Sequence, residues 1–212
     1  MLVGNDVVDL RDPENQPAAI HPRFDERVFT RDERARVVAA ASPHWMRWAL
    51  WAAKESAYKV ARKVDPRVVF SPRAFVVCAP GELIGARHAL IGDVSHAVGL
   101  FQVWLEGTDE WIHAVASTPG SGVAKAGREL RSLGRAAARR MPGLEASTRV
   151  RQLARSALAS TLAIAPSDIV IAAAAKQVPR AWWRGRRLAI DFSFSHHGRF
   201  VACAWGRVTD RA

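Results

Sequence analysis

The chain has 212 residues, enough for one large domain or two half-sized ones around a buried core. Apolar residues make up 49% and charged residues 24%, which excludes a disordered or fibrous chain, and no apolar run approaches the ~20 residues of a bilayer-spanning helix. Thirty-one Lys and Arg against 20 Asp and Glu give a net charge of +11, which calls for a polyanionic partner or reflects only a solvated, arginine-rich surface.

The positive excess is uneven. Residues 121–160 hold Lys125, Arg128, Arg131, Arg135, Arg139, Arg140, Arg149, Arg151 and Arg155 against Glu129 and Glu145. The first twenty residues hold Asp6, Asp9, Asp12 and Glu14 against Arg11 alone. The opening Met1-Leu2-Val3-Gly4-Asn5-Asp6 lacks a basic stretch leading into an apolar one, so no secretory signal is expected. Cys78 and Cys203 each sit in an apolar stretch and read as buried thiols of a reducing compartment. A soluble cytoplasmic protein, with no membrane partner, is the expectation.

In chain order, Leu2 to Leu10 reads as a strand, closed by the turn-rich segment Arg11 to Pro17. Thr30 and Glu33 have capping-box spacing and start a helix through about Ala41. Ser42 caps, and Pro43 opens, a longer helix that Asp65-Pro66 ends. Residues 68–116 are strand-like, with 75–78 as one segment and 99–105 paired with 111–116 as a hairpin. A linker rich in Ser, Thr, Pro and Gly follows. It divides the chain into 1–118, a linker at 119–127, and 128–212. A basic helical region to about Ala163, broken near Pro142-Gly143, precedes a strand at Asp168 to Ala174, after which Val178-Pro179-Arg180 interrupts. A closing hairpin pairs 188–194 with 199–205 across Ser195-His196-His197-Gly198. Helix then hairpin, twice, predicts an α+β protein of two similar halves.

Three segments carry chemistry. On the first strand, alternation puts Asp6 on one face with Gly4 and Val8, and Asp9 on the other with Val7. A carboxylate in an apolar strand needs a partner or a cation, unless it caps a nearby turn. On the long helix, Trp48, Trp51, Ala52 and Glu55 share a stripe, so Glu55 borders the apolar face. Glu55 and Lys59 could form only a surface i,i+4 ion pair. Alternatively, Glu55 meets Asp6 over a hard cation while Lys54 and Lys59 flank an anion; Mg²⁺ suits one or two carboxylates plus water and phosphate oxygens. The third segment is the hairpin around Ser195-His196-His197, either a polar tip or a donor to phosphate. Adjacent histidines point apart and make a poor metal pair.

Taken together, these segments resemble the 4'-phosphopantetheinyl transferase superfamily. Gly4-Asn5-Asp6 resembles its Gly-x-Asp strand, Phe29-Thr30-Arg31-Asp32-Glu33 its Phe-Thr/Ser-x-x-Glu, Trp51 to Lys59 its Trp-x-x-Lys-Glu-Ser/Ala-x-x-Lys signature, and residues 192–205 its Ser-His-Ser-Gly hairpin. In two-half members of that family the Ser-His hairpin precedes Gly-x-Asp; here it closes the chain. A circular permutation of a pseudo-twofold fold accounts for that order.

The resemblance implies a holo-carrier-protein synthase that moves the phosphopantetheine arm of coenzyme A onto a serine of an apo carrier protein. Asp6 and Glu55 are the implied Mg²⁺ ligands, with Glu55 also taking the serine proton and Lys59 neutralising the pyrophosphate. Lys54, Ser195 and His196 are implied coenzyme A ligands, joined by Arg180, Arg151 and Arg155 for the nucleotide and its 3'-phosphate. Two-half members carry a second acid where Val8 stands, so two carboxylates with water are expected, and Asp9 lies outside the ligand set. The basic charge then suits coenzyme A and an acidic acyl, polyketide or peptidyl carrier, with contacts expected from the Arg11 to Arg31 loop. A pseudo-dimeric monomer that binds no nucleic acid follows from this reading. The alternatives are a basic nucleic-acid-binding protein and a non-catalytic carrier-binding module of the same fold.

Overall fold

The computed structural model describes residues 1–78, 88–118, 134–139, 145–173 and 179–208. In chain order these form β1 (Val3–Asp9), α1 (Phe24–Val28), α2 (Arg31–Ala39), α3 (Pro43–Val64), β2 (Val76–Cys78), β3 (His88–His96), β4 (Gly99–Gly107), β5 (Trp111–Ser117), β6 (Gly134–Arg139), α4 (Ala146–Leu162), β7 (Ile169–Ala173), β8 (Pro179–Trp183), β9 (Arg186–Arg187), β10 (Ile190–His197) and β11 (Phe200–Arg207). Three antiparallel sheets result, ordered β1-β5-β4-β3-β2, β10-β11-β6 and β7-β8-β9. The fold is α+β. No helix among the described residues is long and apolar enough to cross a membrane.

Local sequence explains α2 and α3. Thr30 Oγ1 accepts from Glu33 N–H, and the Glu33 carboxylate accepts from Thr30 N–H, completing the predicted capping box. Pro43 opens α3 as expected, although Ser42 at the cap makes no side-chain hydrogen bond. Ala49, Ala52, Ala53, Ala57 and Ala61 are buried along α3, and these small residues let the helix approach the sheet closely. At Gly4 the approach is closest: a Cβ there would lie 2.1 Å from the Ser56 carbonyl oxygen. α4 packs in the same way on β11 and β6, with Val150, Ala154 and Leu158 buried.

β1 is the edge of the five-stranded sheet, and its open edge lies against β10. No backbone ladder joins them. Instead Val3 N–H donates to Asp191 Oδ2 (2.7 Å), Asn5 N–H to Ser193 Oγ (2.9 Å) and Asp9 N–H to His197 Nδ1 (3.1 Å). The carbonyls are met from α3: Lys63 Nζ donates to Val3 O and Lys59 Nζ to Asn5 O, both at 2.7 Å. Lys63 also bonds Asp191 and the Phe192 carbonyl.

Several expectations need correction. Residues 134–139 form a strand rather than part of a basic helix. The Ala-rich segment favours a helix locally, but pairing with β11 overrides that preference. Ala136 and Ala138 face the α4 core, while Arg135 stacks on Trp104 of β4 at 3.4 Å and Arg139 bonds Glu110. Cys78 is exposed and Cys203 buried, so only the second behaves as predicted. The closing hairpin is longer than expected: Ser195, His196 and His197 belong to β10, and the tip is Gly198-Arg199. α1 was not anticipated. The expected linker at 119–127, the Pro142-Gly143 break and Val178 lie outside the described residues.

Lys54 also departs from its assignment. It is 0% exposed, and its ammonium donates to Glu33 Oε2 (2.8 Å) and to the carbonyls of Pro72 (3.0 Å) and Phe75 (2.5 Å). Glu33 in turn accepts from Val77 N–H, so one buried ion pair ties α2, α3 and β2 together. Burial pushes the lysine's pKa down, and Glu33 works against that shift. All three ammonium donors are engaged inside the core, so no phosphate reaches Lys54. Removing one partner of a buried pair leaves an uncompensated charge, so Lys54→Met is expected to lower stability by about 3–5 kcal/mol. Urea unfolding measures this; a loss under about 1 kcal/mol would refute the structural role.

Candidate active site

Gly4 sets the site. Because α3 crosses β1 with no side chain between them, Glu55 and Lys59 are brought to the Asp6 face of the strand. Lys59 Nζ donates to Asp6 Oδ1 at 2.9 Å, so the lysine pairs with Asp6 rather than with Glu55. Glu55 makes no hydrogen bond or ion pair among the described residues. Burial, and after it the negative charge of Asp6, push its carboxyl up to about 7 against the opposing pull of Lys59.

A cleft of about 250 Å³ opens here, lined by Asp6, Val7, Val8, Trp48, Trp51, Glu55, His196 and His197. The structure thus brings together Asp6, Glu55 and His196, with Lys59 bonded to one of them. Ser195 does not line the cleft; it is buried, and its Oγ accepts from Asn5 Nδ2 at 2.9 Å. Asn5 Nδ2 also lies 3.1 Å from Nε2 of His113, whose pKa burial pushes down to about 3, leaving it neutral. Arg180 on β8 and Arg151 and Arg155 on α4 are outside the cleft lining. Arg151 donates to the Ser147 carbonyl, and Arg155 Nε is buried without a partner among the described residues.

Trp48, Trp51 and His197 were not predicted as cleft residues. Trp51 was visible as a motif letter and, with Trp48, as a member of the stripe that Glu55 borders, and His197 as part of the polar hairpin. Asp9, left without a role, anchors the hairpin tip. Its carboxylate accepts from Arg199 Nε (2.8 Å), Arg199 Nη2 (2.7 Å) and the backbone N–H groups of Arg199 and Arg11 (both 2.9 Å). Burial alone would raise this carboxyl; the Arg199 side chain, then the two backbone donors, outweigh it and hold it at about 2. Gly198 turns at φ +48°, and a Cβ there would sit 2.6 Å from Asp9 Oδ2.

Two adjacent carboxylates, one of them raised by burial and by the charge of the other, suit a divalent cation, because a cation would relieve both the burial and the mutual repulsion. Among the described residues no group of three or more His, Cys, Asp or Glu side chains could hold a metal, so the pair would need water to complete its coordination.

An α+β protein with a paired-carboxylate cleft on the seam between two sheets is the class that fold and site define. A family model for the 4'-phosphopantetheinyl transferase superfamily matches residues 2–116, from β1 to the end of β5. The chain belongs to that superfamily, and its activity is phosphopantetheinyl transfer in general terms. No curated protein matches the chain in sequence.

The raised Glu55 carboxyl has a consequence for stability. Its ordinary value is 4.5 and its folded value about 7, so the folded state holds the extra proton between them. Stability contributed by that proton is complete below about 4.5 and is lost as pH rises through about 7. Without divalent cations, wild-type protein is expected to lose about 1–3 kcal/mol between pH 5 and 8 that Glu55→Gln does not lose. Parallel denaturation curves for the two proteins would refute the shift.

Proposed function

We propose that the chain transfers 4'-phosphopantetheine from coenzyme A to a serine of an apo carrier protein, with Mg²⁺ held by Asp6 and Glu55. The observation that carries this reading is the meeting of Asp6, Glu55, Lys59 and His196, drawn from opposite ends of the chain, around one cleft. When bound, Mg²⁺ supplies positive charge to the pyrophosphate.

The chain's own groups do the rest. Glu55, a cleft carboxylate with no hydrogen-bond donor of its own among the described residues, takes the proton of the attacking serine hydroxyl. The serine oxygen forms a bond to the β-phosphorus, and the bond from that phosphorus to the bridging oxygen breaks, releasing adenosine 3',5'-bisphosphate. Lys59, fixed by Asp6 and the Asn5 carbonyl, keeps positive charge beside the reacting phosphates. His196, exposed at the cleft, binds a coenzyme A phosphate. Arg180, Arg151 and Arg155 stay as candidates for the nucleotide end, and Lys54 drops out because it is buried and fully engaged.

The net charge of +11 suits both coenzyme A and an acidic carrier. We infer the circularly permuted order, with halves at 1–118 and 128–212, from a family match confined to residues 2–116 and a Ser-His hairpin that follows it. A cytoplasmic, monomeric enzyme is the accompanying expectation.

Intact-mass measurement of an apo carrier after incubation with this protein, coenzyme A and Mg²⁺ tests the reading. One added phosphopantetheine, abolished by chelator, is expected. Glu55→Gln is expected to lower the rate by about 10²–10⁴-fold with the fold intact. No mass gain on fatty-acid, polyketide or peptide carriers would favour a non-catalytic carrier-binding module, and full activity of Glu55→Gln would overturn the base and the metal site.

A further inference from the structure

The hairpin tip presents a second histidine to the cleft. His197 Nδ1 accepts the backbone N–H of Asp9 at 3.1 Å, and that donor cannot reverse its role. A neutral ring must then carry its hydrogen on Nε2. A protonated Nε2 cannot ligate a cation, but it can donate to an anion. Nε2 has no partner among the described residues, and His197 lines the same cleft as Asp6 and Glu55.

The ring is also held rigidly. Asp9, whose N–H fixes the tautomer, is itself locked by four hydrogen bonds from Arg199 and Arg11. The turn that follows His197 has no room for a side chain at Gly198. A donor that needs no reordering before it binds gives up little entropy on binding.

We propose that His197 is a substrate-binding residue whose Nε2–H donates to a pyrophosphate oxygen of the nucleotide co-substrate, with Asp9 and Arg199 as its positioning residues. The pyrophosphate is assigned, rather than a more distant phosphate, because His197 shares its cleft with the carboxylate pair. This rests on the proposed function for the identity of the co-substrate.

His197→Asn separates the two roles of the ring. Its Oδ1 stands where Nδ1 accepts from Asp9 N–H, while the donor at the Nε2 position is lost. His197→Gln places an amide N–H near that lost donor. With Mg²⁺ present, calorimetry is expected to show His197→Asn binding coenzyme A and 3'-dephospho-coenzyme A about 10- to 100-fold more weakly than wild type, with an unchanged melting temperature. Partial recovery is expected in His197→Gln. Long-range ¹⁵N NMR of the imidazoles is expected to show His197 protonated at Nε2.

Wild-type affinity in His197→Asn, a loss confined to coenzyme A and spared for the dephospho form, or a proton found on Nδ1 would each overturn the proposal. If wild type transfers phosphopantetheine but His197→Asn binds normally, this inference alone fails. If wild type binds Mg²⁺-pyrophosphate through His197 yet transfers nothing, the proposed function fails and this inference stands. If wild type binds neither coenzyme A nor Mg²⁺-pyrophosphate, both fail.

Discussion

The open edge of β1 is satisfied by side chains instead of by another strand, and the rest of the molecule is arranged around that substitution. An edge strand buried between two sheets would leave backbone donors and acceptors unpaired, at about 1–3 kcal/mol for each group. Here Asp191, Ser193 and His197 accept from three of the backbone N–H groups, and Lys59 and Lys63 donate to two of the carbonyls. Alternation along β10 makes this possible. Residues 191, 193, 195 and 197 turn polar atoms toward β1, while Phe192 and Phe194 turn toward the core beneath α4. Between the two sets of polar contacts, Val3 packs with Ala204, and Val7 with Ala202 and Phe200. Small residues on β11 let the strands come close without a shared ladder.

That seam is also where the candidate site sits. Asp6 and Glu55 come from the β1–α3 side, and His196 and His197 from β10, so neither group of elements holds the cleft alone. Lys59 is part of both arrangements, completing the edge at the Asn5 carbonyl and neutralising Asp6. Its pairing with Asp6 leaves Glu55 as the carboxylate without a donor. Burial, and after it the charge of Asp6, raise the Glu55 carboxyl, and Lys59 works against that rise.

Much of this was legible in the residues. The capping box at Thr30 and Glu33, the start and end of α3, and the alternation that separates Asp6 from Asp9 follow from local periodicity and motif spacing, whereas the meeting of Asp6 with Glu55 was implied by the family resemblance. What failed was whatever depended on a distant partner. Lys54 and Lys59 belong to one motif, yet five residues on a helix rotate a side chain by about 140°, so one faces β1 and the other the interior. Nothing in the helix announces that Glu33 and two carbonyls wait for Lys54 there. Residues 134–139 read as helix because Ala and Arg favour one, and only the strand beside them says otherwise. His197 was hidden for a related reason: its use of Nδ1 is set by a backbone group 188 residues away.

The three carboxylates near the seam differ in burial, in neighbouring charge and in how many donors each has. Asp9 is 1% exposed, and burial by itself would favour its neutral form. Four donors reverse that preference, and the group remains charged and inert at the hairpin tip. Asp6 has a single cation on one oxygen and keeps its other oxygen free of any hydrogen bond among the described residues. Glu55 has neither donor nor cation, and its proton is held to about 7. Two carboxyl groups, one on β1 and one on α3, thus span about five pH units, from about 2 to about 7. Asp9 has no coordination left to offer a cation, whereas Asp6 and Glu55 have, and Val8, two residues after Asp6 on the same strand face, adds no third ligand. Donors at the hairpin tip outweigh burial and hold Asp9 charged, whereas at Glu55 burial and the charge of Asp6 prevail over Lys59.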